Sequence, residues 1–156
     1  MIRLAFFDMD GTLCAPRFYV NGKMVVGMSD EAWLAFCEKN GADTYKFCKP
    51  VPAVVEYAEE LKKHGAVLYV LSSAQSEAEK AAKVKFTESN CRGMFREVIT
   101  VAGDDEKLPV MQKIAAEAGI LASDVELVED TYRLVLQATV AGMNATHVSH
   151  LYCKRD

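Results

Sequence analysis

The sequence has no Cys-x-x-Cys pair, no basic tract and no apolar run near the ~20 residues of a membrane-spanning helix. Each absence removes a class of function. Five cysteines (Cys14, Cys37, Cys48, Cys91 and Cys153) stand at unpaired spacings. That pattern argues against zinc or a redox motif and reads as reduced thiols filling a core. Cys14 is then a small apolar residue and not a nucleophile. Acids outnumber bases, 22 to 18, for a net charge of −4. Nucleic acid and anionic membranes, which call for a basic face, are not expected partners. The first apolar run breaks at Asp8, too early for a signal peptide, so a cytoplasmic location is expected. His147, His150 and Cys153 share a three-residue spacing. Without a second ligand pair they read as a polar tail and not a metal site.

What is present is a regular alternation. With 156 residues and neither repeat nor linker, the chain suits one domain over residues 1–156. Residues 2–7 form an almost continuous apolar run, the pattern of a strand buried on both faces of a parallel sheet. Asp8-Met9-Asp10-Gly11-Thr12-Leu13 follows it. The carboxyl ends of such strands are where open α/β sheets bind ligands. Two acids two residues apart face the same side of an extended chain. Like charges so placed call for a cation, and a hard one prefers oxygen ligands. Gly11 allows a sharp turn and close approach.

Further along, Arg17–Val26 carries two β-prone runs around Asn21-Gly22, a hairpin signal that should project over this loop. Helices are expected from Ser29-Asp30 to Asn40-Gly41, from Pro52 through His64, over 76–88, from near Pro109 to Gly119, and over 133–141. Trp33 reads as core within the first of these. Strands are expected at 66–71 (with Ser72-Ser73 at the end), 97–101, 125–128 (ending in Glu129-Asp130) and about 145–149. Strands alternating with helices give βαβ units. The expected fold is a three-layer α/β/α, Rossmann-like parallel sheet, with a small flap or cap over about residues 14–49. Asp8 and Asp10, Ser72, Lys107 and Glu129-Asp130 then gather on one edge.

The string Asp8-x-Asp10-Gly11-Thr12 after an apolar strand resembles the first motif of the haloacid dehalogenase superfamily. Ser72, Lys107 and Glu129-Asp130 match its other three motifs in order. The resemblance implies a Mg²⁺-dependent phosphatase. Asp8 is then the nucleophile that forms an aspartyl-phosphate, and Asp10 the general acid and base. Ser72 and Lys107, with Ser73 and Gly11, bind the phosphoryl group. The metal is held by Asp8, Asp130 and the main-chain carbonyl of Asp10. Two departures from the family pattern stand out. Lys107-Leu108-Pro109 has one residue more than the usual Lys-Pro, which leaves Lys113 as a rival. Leu134 stands where a further acid is common, so Glu129 is a candidate for the metal shell.

Only about 35 residues separate Cys14 from Pro50, room for a minimal cap. The expected substrate is a small phosphorylated metabolite or nucleotide. A macromolecular or lipid-linked phosphate, or a lid borrowed from a second subunit in a homo-oligomer, is the alternative. A dehalogenase would not need the acid Asp10. A silent binding module of the same fold would not need the whole set.

Overall fold

The computed structural model describes residues 1–152. Its centre is a five-stranded parallel sheet built from β1 (Leu4–Phe7), β6 (Val67–Ser73), β7 (Glu97–Val101), β8 (Val125–Glu129) and β9 (Asn144–His147). The order is β7-β6-β1-β8-β9. Parallel pairing runs from Leu4 opposite Val67 and Val125 to Phe7 opposite Val70 and Val128. All four residues of β1 are buried, as a central strand covered on both faces requires.

Alternation along β1 separates two cores. Ala5 and Phe7 face a cluster shared with α2 (Pro52–Lys63), α3 (Glu77–Asn90) and α6 (Ser149–Tyr152). Leu4 and Phe6 face a second cluster with α4 (Lys107–Glu117) and α5 (Tyr132–Val140). Helices therefore cover both faces, and the three-layer α/β/α architecture expected from the alternating pattern is present.

Between β1 and α2 the chain makes the expected insertion. The short strand β2 (Cys14–Ala15) pairs antiparallel with β5 (Lys49–Pro50) and closes its base. β3 (Phe18–Val20) and β4 (Lys23–Val25) form a hairpin. Its turn residues Asn21 and Gly22 both have positive φ, 51° and 74°, as a type I′ turn demands. α1 (Asp30–Asn40) follows, with the Ser29 hydroxyl accepting from the Ala32 N–H at 3.3 Å. Phe18, Trp33, Phe36, Tyr45 and Phe86 form a chain of ring contacts with centroids 4.8–6.0 Å apart. Phe86 belongs to α3, so this aromatic seam fastens the insertion to the main body.

Several boundaries differ from the sequence expectation. α4 begins at Lys107, two residues before Pro109; the first four helical N–H groups have no partner within the helix, so proline is tolerated there. β6 continues through Ser73, pairing Ser72 with Thr100 and Ser73 with Val101. The last strand ends at His147, and Ser149 opens α6.

Candidate active site

The strand order reverses at β1: β6 and β7 lie on one side, β8 and β9 on the other. A crevice at the carboxyl ends of the strands is expected at such a switch point. Asp8 stands there, one residue beyond β1, 5% exposed, with its N–H donating to the Val128 carbonyl at 2.9 Å.

Lys107 reaches Asp8 from the first turn of α4. Its Nζ donates to Asp8 Oδ1 and to Glu129 Oε2, both at 2.8 Å, and lies 3.5 Å from Asp104 Oδ1. Of the two candidate lysines, Lys107 is the one placed against Asp8. Lys113 lies on the outer face of α4, exposed beside Glu117. Glu129 is fully buried at the end of β8. Its other oxygen accepts from the N–H groups of Asp130 and Thr131 at 3.2 and 3.1 Å. Glu129 therefore serves Lys107 and the turn after β8.

Asp8, Glu129 and Asp130 each offer a carboxylate oxygen within 4.8 Å of the others. Three carboxylates against the single ammonium of Lys107 leave an excess of two negative charges. All three acids respond. Burial and the Glu129 charge push the Asp8 carboxyl up from 3.8 to about 7, with Lys107 opposing. Burial likewise raises Glu129 and Asp130. Burial works against the Lys107 ammonium, but Asp8 and Glu129 outweigh it and hold its pKa above the ordinary lysine value. A divalent cation on hard oxygen ligands would balance that excess, so the residues fit magnesium. Glu129 is already committed to Lys107 and two N–H groups, which would leave Asp8 and Asp130 as the carboxylate ligands of such an ion.

Gly11, placed by sequence among the phosphate-binding residues, has a different part here. Its N–H donates to the Cys14 carbonyl at 2.9 Å and is not free for a ligand. At φ +80° it lies so close to Asp130 that an added Cβ would overlap the carboxylate. Gly11 makes room for Asp130.

Asp10 is held apart from that cluster. Its Oδ2 accepts from Lys83 Nζ at 2.6 Å, and its Oδ1 from the Tyr45 hydroxyl at 2.8 Å. Lys83, on α3, is fully buried. It also donates to Ser72 Oγ at 2.9 Å and to the Ser73 carbonyl at 2.7 Å, and pairs with Glu79 Oε1 at 3.2 Å. Burial opposes its charge, yet Asp10 and Glu79 keep its pKa raised. Burial and the neighbouring Asp10 also raise the Tyr45 hydroxyl.

Ser72 is thus 1% exposed at the end of β6 with its oxygen occupied by Lys83, which leaves its hydroxyl proton to donate. Ser73 contributes its carbonyl to Lys83. Alternation along the strand puts its side chain on the opposite face from that of Ser72.

Lys83, Glu79 and Tyr45 were not singled out from the sequence. A signal existed: Glu79, Ala82, Lys83 and Phe86 follow one helical stripe, all buried. A Glu and a Lys four apart usually read as an exposed pair.

Other sequence candidates settle as follows. Cys14, Cys37, Cys48 and Cys91 are buried free thiols. His147 is tied to the site loop, its Nε2 2.9 Å from the Asp130 carbonyl, so it is more than a polar tail. Cys153 lies outside the described residues. Leu134 is 3% exposed in the second core and leaves no place for an acid. Trp33 is half-buried in the aromatic seam and borders a cavity beside Asp10.

No protein-family model and no curated protein matches the sequence. Solved structures do match its fold. A haloacid dehalogenase-like hydrolase from Streptococcus pneumoniae is 13% identical with a TM-score of 0.58, over 92% of this chain and 83% of that one. A protein described as a predicted phosphoglycolate phosphatase from Haemophilus somnus is 16% identical with a TM-score of 0.58, over 92% and 84%. A phosphoserine phosphatase solved as a phospho-aspartyl intermediate analogue is 17% identical with a TM-score of 0.53, over 83% and 78%. The first-motif resemblance is therefore matched by the architecture: this chain has the fold of the haloacid dehalogenase-like hydrolases.

Proposed function

We propose that the protein is a Mg²⁺-dependent phosphatase that hydrolyses a small phosphomonoester through an aspartyl-phosphate on Asp8. The observation that carries this reading is the separation of the two acids of one motif. Asp8 lies in the carboxylate cluster under Lys107, whereas Asp10 is held outside it by Lys83 and Tyr45. Two carboxylates in different environments suit two different roles.

In the first step an oxygen of Asp8 attacks phosphorus and the ester bond breaks. The departing oxygen takes a proton from Asp10. In the second step Asp10 accepts a proton from water, the water oxygen bonds to phosphorus, and the Asp8–phosphorus bond breaks. Lys107 offsets the charge on Asp8 as the phosphoryl dianion approaches. Ser72, its oxygen fixed by Lys83, donates its proton to a phosphoryl oxygen. Magnesium, held by Asp8, Asp130 and the Asp10 main-chain carbonyl, would neutralise phosphoryl charge when bound. A dehalogenase has no leaving oxygen to protonate, so the tethered Asp10 favours phosphoryl chemistry.

The buried thiols suit a reducing, cytoplasmic setting. Among the described residues no helix is long and apolar enough to cross a membrane. In this reading the partner is the small substrate, without nucleic acid or membrane, and self-association would complete the partner set if a second subunit supplies the lid.

The test is covalent trapping. Asp10→Asn cannot activate water, so after exposure to an aryl phosphate with a good leaving group the variant should carry one phosphoryl group on Asp8 by peptide mass spectrometry. Its turnover should fall by a factor on the order of 10² to 10⁴. A label on Ser72 or Cys14, or none while wild type releases phosphate, refutes the aspartyl-phosphate route.

A further inference from the structure

We infer that the pocket beside Asp10 selects phosphate esters whose leaving alcohol is apolar and uncharged, such as a single aromatic ring, and rejects leaving groups that carry a carboxylate. This inference rests on the phosphatase reading and names its substrate class. Asp10 is the group that would protonate the departing oxygen, so the leaving group must lie against it. Asp10 lines a cavity of about 250 Å³ together with Pro16, Phe18, Met28, Asp30 and Trp33. That is slightly below the ~300–1,000 Å³ of sites for drug-sized ligands and suits one ring or a short chain.

The chemistry of the wall is uneven. Phe18 and Trp33 contact each other with centroids 4.8 Å apart and offer aromatic surface, while Met28 adds a polarisable, adaptable side chain. Among the described residues no lysine, arginine or histidine lines the cavity. The two ammonium groups of the site, on Lys107 and Lys83, are buried and already paired with acids. The N-terminus of α1 would by itself welcome an anion, but Asp30 and Glu31 occupy its first turn. A carboxylate on the leaving group would therefore meet Asp30 with no lysine, arginine or histidine among the described lining residues to offset it, and like charges brought close together repel. The insertion selects by an apolar wall and by exclusion of negative charge together.

The test compares benzyl phosphate with 4-carboxybenzyl phosphate, whose bridging oxygens are similar leaving groups. Trp33 is the sole tryptophan, so its emission reports occupancy of the pocket independently of turnover. With Mg²⁺, kcat/KM for benzyl phosphate should exceed that for the carboxylated ester by about tenfold or more. Benzyl phosphate should shift Trp33 emission with a half-saturation near its KM. Asp30→Asn should narrow the ratio to about threefold or less. Equal or inverted rates, or turnover without any change at Trp33, overturn the inference and leave the phosphatase reading intact. A selective Trp33 response without release of phosphate supports the pocket and removes the phosphatase reading. Neither response removes both.

Discussion

Removing the charge of Asp8 should stabilise the metal-free protein, and more so as pH rises. The carboxyl is almost wholly buried, and its pKa in the fold is about 7 against 3.8 in a free chain. Between those values the unfolded chain has released the proton and the folded chain keeps it. A raised carboxyl thus contributes stability below about pH 4 that is lost as pH climbs to about 7, with a plateau above. Asp8→Asn imitates the protonated side chain and does not titrate. From pH 5 to 7 the wild type should lose about 2 kcal/mol relative to the variant, somewhat under two pH units at ~1.36 kcal/mol each because the folded carboxyl is half ionised at about pH 7. For a chain of this length that is about 4–8 °C in Tm. Thermal unfolding followed by circular dichroism in a chelator, at pH 5, 6, 7 and 8, measures it directly. Adding Mg²⁺ at about 100 times its Kd should return about 2.7 kcal/mol to the wild type and much less to the variant. A gap that does not change with pH, or a variant less stable than wild type at pH 8, would mean that the ionised Asp8 is already satisfied by its protein neighbours. The charge excess inferred for the cluster would then be wrong.

Three further outcomes follow from the geometry. Lys107→Met should lower kcat by at least about 10²-fold in a phosphate-release assay, whereas Lys113→Ala should change neither kcat nor KM. Gly11→Ala forces Asp130 aside and strains a backbone at φ +80°, so the Mg²⁺ needed for half-maximal activity should rise about tenfold or more, with about 1–2 kcal/mol lost in chemical denaturation. Lys83→Met leaves Glu79 buried without its ion-pair partner and should destabilise by about 3–5 kcal/mol, and adding Glu79→Gln should recover part of that loss, a non-additivity that a double-mutant cycle reads.

The sheet was legible because its strands are short apolar runs closed by turn residues. Residues 2–7, 66–71 and 125–128 could hardly be read otherwise, and the alternation with helices dictated parallel pairing. Asn21-Gly22 marked the hairpin because few other pairs accept positive φ twice. The choice between Lys107 and Lys113 was harder, because spacing to the proline pointed to neither. Helical phase decides it: Lys107, Met111 and Ala115 recur every four residues and are buried together, while Lys113 falls on the outer face. Gly11 reads in the sequence as a residue that lets the backbone approach a ligand, but the group that lies against it is Asp130, just after β8 and far away in sequence. No local pattern carries that information.

Lys83 was the main residue missed, for a physical reason. A Glu–Lys pair four apart on a helix is ordinarily a solvated pair of small value, and nothing in the helix's own sequence tells which side meets the sheet edge. Once α3 packs over the ends of β6 and β1, its buried stripe brings Lys83 to Asp10, Ser72 and the Ser73 carbonyl together. The second tether on Asp10, Tyr45, comes from the insertion between β1 and α2. Tyr45 is pinned by ring contacts to Trp33 on one side and to Phe86 of α3 on the other. Trp33 in turn lines the cavity beside Asp10. A substitution that loosened this aromatic seam would therefore disturb the orientation of Asp10 and the wall of the cavity at once. On the phosphatase reading, so small an insertion would join placement of the acid and choice of leaving group mechanically.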